Sequence, residues 1–279
     1  MGKVFLFLFM VLLLVSYLYL SRPYWFYSTA TSAMSSDKIG FKETPSKLLS
    51  EGMRLLRERK DSAALTNFAK VLALSPRDSN ALWGKAEILR RSRKYTEARE
   101  ILAGVLNGNP KHVPSILTLA FIDYMEGKLD TAQKALAGVF QSSTNREDHA
   151  MAFMILGAIN SKRAESGFVL NRLKNATQIL CYFQRAKELG PDLPEVRLAL
   201  GTFYMSAPSF IGGNLNKALE ELTAAVKMAP DFATANARLA QYYRKKGDFQ
   251  HYNYYLERAE YLDPESDVLS EVKAQTPFH

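Results

Sequence analysis

The stretch ALTNFAKVLALSP, Ala64–Pro76, returns 34 positions later as AREILAGVLNGNP, Ala98–Pro110, with Ala, an apolar residue, Val and Pro in matching places. The same frame recurs as Ala218, Leu222, Ala225 and Pro230, and 34 positions on as Tyr252, Leu256, Ala259 and Pro264. Twelve residues before each first alanine stands a small side chain: Gly52, Ala86 and Ala120, each 34 from the last, then Gly157, Gly201 and Ala240 at spacings of 37, 44 and 39. Such a period marks a repeat architecture. Within a unit, apolar residues such as Leu65, Phe68, Ala69 and Leu72 fall at helical spacing on one face. The small residue lets a second helix approach closely, and the alanine on that second helix does the same in return. Proline closes each unit because it cannot continue a hydrogen-bonded turn.

These residues resemble the tetratricopeptide repeat, a helix–turn–helix unit of 34 residues, over six units from 45 to about 266. The resemblance implies an all-α solenoid with a concave face. Departures from its pattern stand at Ile179 and Tyr252, in the alanine column, and at Thr144, in the proline column. One hairpin cannot bury its apolar side alone, so neighbouring units stack. Residues 267–279 are expected to close the last unit, with Val268, Leu269 and Val272 on a capping helix.

Before the repeats comes VFLFLFMVLLLVSYLYL, Val4–Leu20, without a charge. Seventeen residues at 1.5 Å each make about 26 Å, and Tyr24–Tyr27 supplies the missing length of a span. Residues 1–27 therefore read as a transmembrane signal-anchor and the Ser- and Thr-rich residues 28–44 as a tether. A cleaved signal is the alternative, since Ser28-Thr29-Ala30 and Thr31-Ser32-Ala33 offer small residues at cleavage spacing. The short positive tail, with Lys3, favours export of the repeat domain, which would be periplasmic in a bacterium.

The 279 residues carry 36 Lys and Arg against 28 Asp and Glu, a net charge of +8, and 47% are hydrophobic, which excludes disorder throughout. Cys181 is the single cysteine, so no intramolecular disulfide forms. His112, His149, His251 and His279 share no ligand spacing. No metalloprotease, phosphate-loop or nucleophile-elbow motif is present. No catalytic residue, metal site or cofactor is expected, and the chain does not read as an enzyme. Asp61, Asp130 and Asp248 read as N-caps, His112 as a solvated loop residue and Cys181 as core packing.

Function is expected on the concave face, which the first helix of each unit lines. Met53, Trp83, Glu87, Arg90, Leu117, Phe121, Tyr124, Met154 and Met205 are the candidate binding residues. Some of them serve packing between units instead. Where chaperone-binding relatives hold a carboxylate with Lys and Asn, this chain has Leu49 and Met53. Basic clusters end the first helices at Arg54–Lys60, Arg90–Lys94, Lys162-Arg163 and Arg244–Lys246. A helix C-terminus favours such cations by about 0.3–1 kcal/mol each, and stacking aligns them into a rim that suits anionic lipid or an acidic partner. Nucleic acid is not expected, because aromatics do not interleave these clusters.

Extra residues interrupt the frame at Ser166–Lys174 and at Ala207–Asn214. The second segment resembles one in exported repeat proteins, among them the helical T components of periplasmic solute transporters. Its Pro208 stops a helix, Gly212 and Gly213 permit positive φ, Asn214 caps the next helix, and Phe210 and Ile211 are expected to bury. The chain thus reads as a membrane-anchored adaptor for a protein or peptide segment in envelope assembly or secretion. The alternative is an extracytoplasmic carrier of an apolar small molecule.

Overall fold

The computed structural model describes residues 44–165 and 169–274. The anchor read at Val4–Leu20 and the tether lie outside the described residues, among which no helix is long and apolar enough to cross a membrane.

Thirteen α-helices follow one another and no strand occurs among the described residues. The six hairpins are α1 (Pro45–Arg57) with α2 (Asp61–Leu74), α3 (Ser79–Arg91) with α4 (Tyr95–Gly108), α5 (Val113–Met125) with α6 (Leu129–Ser142), α7 (Arg146–Glu165) with α8 (Val169–Leu189), α9 (Pro194–Ser206) with α10 (Leu215–Met228), and α11 (Ala233–Lys245) with α12 (Phe249–Leu262). The short α13 (Asp267–Ala274) buries Leu269 and Val272.

The periodic small residues do the work that their spacing implies. A Cβ on Gly52 would stand 2.8 Å from the Phe68 ring, and one on Gly84 would stand 2.4 Å from the same ring. Phe68 is thus a wedge clamped between two glycines of successive first helices, wholly buried. Gly157 receives Phe183 and Gly201 receives Leu222 in the same way. Ala64, Ala98, Ala132 and Ala218 are fully buried in the facing helices.

Turns between paired helices repeat a second device. After α1 the Arg59 and Lys60 amides donate to Leu56 and Leu55 carbonyls at 3.2 and 3.0 Å, and the pattern returns after α3, α5 and α11. This C-terminal motif needs a left-handed residue, usually glycine. Gly127 (φ 80°) and Gly247 (φ 75°) fill it after α5 and α11, whereas Arg59 (φ 65°) and Arg93 (φ 58°) fill it after α1 and α3.

Extra residues take two forms. The helices of the fourth hairpin are longer, 20 and 21 residues against the 13 and 14 of the next one. At Ala207–Asn214 they make a loop with a single 3₁₀ turn, Ser209–Ile211. Gly212 takes φ 104°, and a Cβ on Gly213 would fall 1.7 Å from the Ala207 carbonyl oxygen. Asn214 accepts from the Lys217 amide at 3.0 Å and caps α10. Burial of Phe210 is corrected: it is 76% exposed, because backbone bonds from Gly213 to Pro208 and from Asn214 to Tyr204 hold the loop without it.

Three smaller readings are also corrected. Cys181 is exposed on α8 rather than packed in the core. His112 is buried at the start of α5, where its ring nitrogens meet Ser115 Oγ at 2.8 Å and Asn80 Oδ1 at 3.1 Å, and burial pushes its pKa down. Only Asp248 of the three aspartates caps a helix with its side chain. Asp61 and Asp130 stand inside the first turns of α2 and α6 and bind Arg91 and Arg163 of adjacent units.

Candidate functional site

The stack curls until its first units touch its last ones. Arg57 reaches Glu147 at 3.2 Å, Arg59 reaches Glu195 at 2.5 Å, and Arg93 reaches Asp263 at 2.9 Å. The Arg59 guanidinium also lies 3.8 Å from the centre of the Phe232 ring, which precedes α11. The left-handed turns after α1 and α3 aim Arg59 and Arg93 at these distant groups.

Behind Arg59 lies a paired cluster. Glu87 on α3 accepts from Arg90 at 2.5 Å and from Arg91 Nε at 3.1 Å. Arg91 also donates to the Leu56 carbonyl at 2.9 Å and to Asp61 at 2.6 Å, and it stands 3.9 Å from Glu195. Burial alone would raise the Glu87 pKa, but Arg90, Arg91 and Arg59 outweigh it and hold the carboxyl down to about 2. The Glu195 carboxyl is likewise lowered, as Arg59 and Arg91 overcome burial. Arg59 is held down to about 10 by burial first and then by repulsion from Arg91.

Aromatic groups cover this cluster. Trp83 Nε1 donates to Thr118 Oγ1 at 2.9 Å, and Thr118 donates on to Glu87 at 3.2 Å. Arg90 lies over the Phe121 ring at 4.4 Å, and Phe121 meets Tyr124 edge-on at 5.7 Å. Lys162 continues the series over Tyr124.

Of the nine candidate residues, the structure brings Trp83, Glu87, Arg90, Phe121 and Tyr124 into one connected surface on α3 and α5, all half-buried. Met53 is half-buried against the core of the first two units. Leu117, Met154 and Met205 are buried and pack inside the stack. Residues that the sequence reading left out of the site are Arg59, Glu195 and Phe232. One signal did mark Arg59: aligned at 34 residues, Arg59, Arg93 and Gly127 share a column where a left-handed residue stands.

Several cations of the basic rim have partners within the chain. Arg54 pairs with Glu51 and Glu58, Arg90 and Arg91 turn to Glu87, and Lys245 donates to the Met205 carbonyl at 3.1 Å. Arg54 and Arg90 are thus paired within their own units, and Lys245 with the unit before its own. A depression of about 460 Å³ beside the inserted loop is lined by Tyr204, Ser209, Asn214, Asn216, Lys245 and Lys246. Among the described residues, no group of three His, Cys, Asp or Glu is placed to hold a metal ion.

Residues 49–112 and 212–264 match the tetratricopeptide repeat family model. Human IFIT1, in a dimer with PPP-AAAA, is similar at a TM-score of 0.55 and 17% identity over 82% of this chain and 52% of that one. The Cut9-Hcn1 hetero-tetramer of APC/C is similar at 0.54 and 16%, over 82% of this chain and 42% of that one. PilW, a type IV pilus biogenesis factor, is similar at 0.47 and 15%, over 82% and 98%. This chain thus spans about half of the IFIT1 chain and less than half of its Cut9-Hcn1 counterpart. No curated protein matches this chain. Over residues 49–112 and 212–264 the chain thus carries tetratricopeptide repeats, and these solved structures share its fold.

Proposed function

We propose that this protein is a non-enzymatic adaptor, anchored in a membrane by Val4–Leu20, whose exported solenoid binds a segment of a protein in envelope assembly or secretion. One observation carries the binding part of this reading: Trp83, Phe121 and Tyr124 form a connected, half-buried aromatic surface beside Glu87 and Arg90. Rigid aromatic and arginine side chains in a partly dry setting are the groups that dominate binding energy at interfaces. The anchor and the direction of export rest on the uncharged run and the positive tail that precedes it. The carrier alternative draws on the resemblance of Ala207–Asn214 to transporter T components. The depression at that loop has a mixed wall, in which Tyr204, Met205, Ala207 and Leu215 stand among two lysines, two asparagines and a serine.

A paired measurement on Phe121→Ala in the full chain tests the adaptor. Crosslinked partners recovered from membranes are expected to be lost while the thermal melt stays close to that of the parent chain. A melt lowered by many degrees, with partners retained once the chain is folded, makes Phe121 a packing residue and removes the surface. A C-terminal reporter active only after export is expected to give signal. Silence there, with a cytosolic reporter bright, reverses the topology.

A further inference from the structure

Arg59 is held with one hand. Its side chain is only 9% exposed, and its Nε is a buried side-chain nitrogen with no hydrogen-bond partner among the described residues. Its Nη2 donates to Glu195 Oε1, the same oxygen that Arg91 approaches at 3.9 Å. A guanidinium prefers a carboxylate in its plane, with two parallel N–H···O bonds. Here the second donor is buried and idle, an arrangement that natural interiors rarely keep. Arg59 also occupies a left-handed backbone position that carries a cost for any residue other than glycine. Its side-chain contacts run to residues 136 and more positions away.

Glu195 is a replaceable partner. It sits in the first turn of α9, where the helix dipole favours a carboxylate even with no arginine present. The arrangement also has company. Arg57, Arg59 and Arg93, all from the first two units, each take an acidic group from a later unit: Glu147, Glu195 and Asp263. The first two units thus present a row of guanidiniums along one side, and the chain's own carboxylates occupy all three.

We propose that Arg59, backed by Arg91, is a carboxylate-binding site for an acidic segment of a partner protein, and that Glu195 is its intramolecular stand-in. An incoming Asp or Glu takes Nε and Nη2 together, and Glu195 is released to the α9 N-terminus. Arg57 and Arg93 then accept further acidic residues of the same segment in place of Glu147 and Asp263. This rests on the scaffold reading of the fold, and on neither the anchor nor the aromatic surface.

The test is fluorescence polarisation of the purified full-length chain with fluorescein-labelled hexaglutamate, and with hexaglutamine as the uncharged control. The parent chain is expected to bind hexaglutamate weakly. Glu195→Gln removes the competitor, and lifting a site from about one-tenth free to fully free tightens apparent affinity about tenfold. Adding Arg59→Gln to that variant is expected to abolish the gain. The proposal is overturned if Glu195→Gln binds hexaglutamate no better than the parent, if hexaglutamine gains equally, or if the gain survives Arg59→Gln. Should Glu195→Gln not fold, Glu195→Asp shortens the reach and keeps the charge. It is expected to give a smaller gain of the same sign, and no gain overturns the proposal. Because the probe is synthetic and no variant replaces an aromatic residue, this result is read separately from whether the membrane partner depends on the aromatic surface.

Discussion

The first two units, Pro45–Gly108, and the last two, Pro194–Leu262, follow one frame of small residues, alanines and prolines but finish it differently. In the first pair, Phe68 is clamped by glycines on both sides, and the turn positions carry Arg59 and Arg93. In the last pair, the turn after α11 carries Gly247, the turn after α9 is an eight-residue loop, and α12 buries only Ala259 while leaving Phe249, Tyr254 and Tyr261 exposed. The first pair reaches and the last pair receives: Arg59 and Arg93 on one side, Glu195, Phe232 and Asp263 on the other. Shared positions therefore build the scaffold, while unshared ones decide where it meets itself.

The largest test of this contrast is Phe68→Ala against Phe249→Ala. Emptying the clamp between Gly52 and Gly84 is expected to cost about 3–5 kcal/mol, whereas the exposed Phe249 is expected to change stability by less than about 0.5 kcal/mol. Denaturant midpoints at constant slope measure both. Equal losses would mean that the last hairpin is packed as tightly as the first.

Acid comes next. The Glu87 carboxyl is held down to about 2 in the fold, so its contribution is present above the ordinary carboxylate range and fades as pH falls toward that value. The shift from 4.5 corresponds to stability on the order of 3 kcal/mol. Glu87→Gln is expected to flatten the fall of stability between about pH 5 and pH 2. An unaltered acid profile would place the sensitivity elsewhere, for instance at Glu195.

The smallest effect separates the two kinds of turn. Gly127→Ala and Gly247→Ala meet no atom within 4 Å, so only backbone strain opposes them, about 1 kcal/mol each. Arg93→Gly removes the same strain and loses a part-exposed ion pair with Asp263, so the two changes nearly cancel. Thermal melts of the three variants read this difference directly.

The repeat was legible because it is local. Helix spacing, the small residue and the closing proline all lie within 34 residues, and Gly52, Gly157 and Gly201 meet large side chains where the pattern implies contact. The aromatic surface was legible for the same reason, since Trp83, Phe121 and Tyr124 stand on first helices. The Arg59 cluster was not. It depends on curvature accumulated over five units, a sum of small rotations that no single unit encodes. Phe210 misled for another reason: a loop held by its own backbone bonds can leave a large apolar side chain in water.

The bonds from Arg57, Arg59 and Arg93 to later units also change how the molecule comes apart. An open array of repeats unravels from its ends, because each unit knows only its neighbours. Here the first two units hold the fourth, fifth and sixth across 90 to 170 positions of chain. Such distant contacts form late, after the local hairpins, since closing long loops costs entropy first. Once formed, they couple the first units to the later ones through side chains alone, chiefly through the buried Arg59–Glu195 pair.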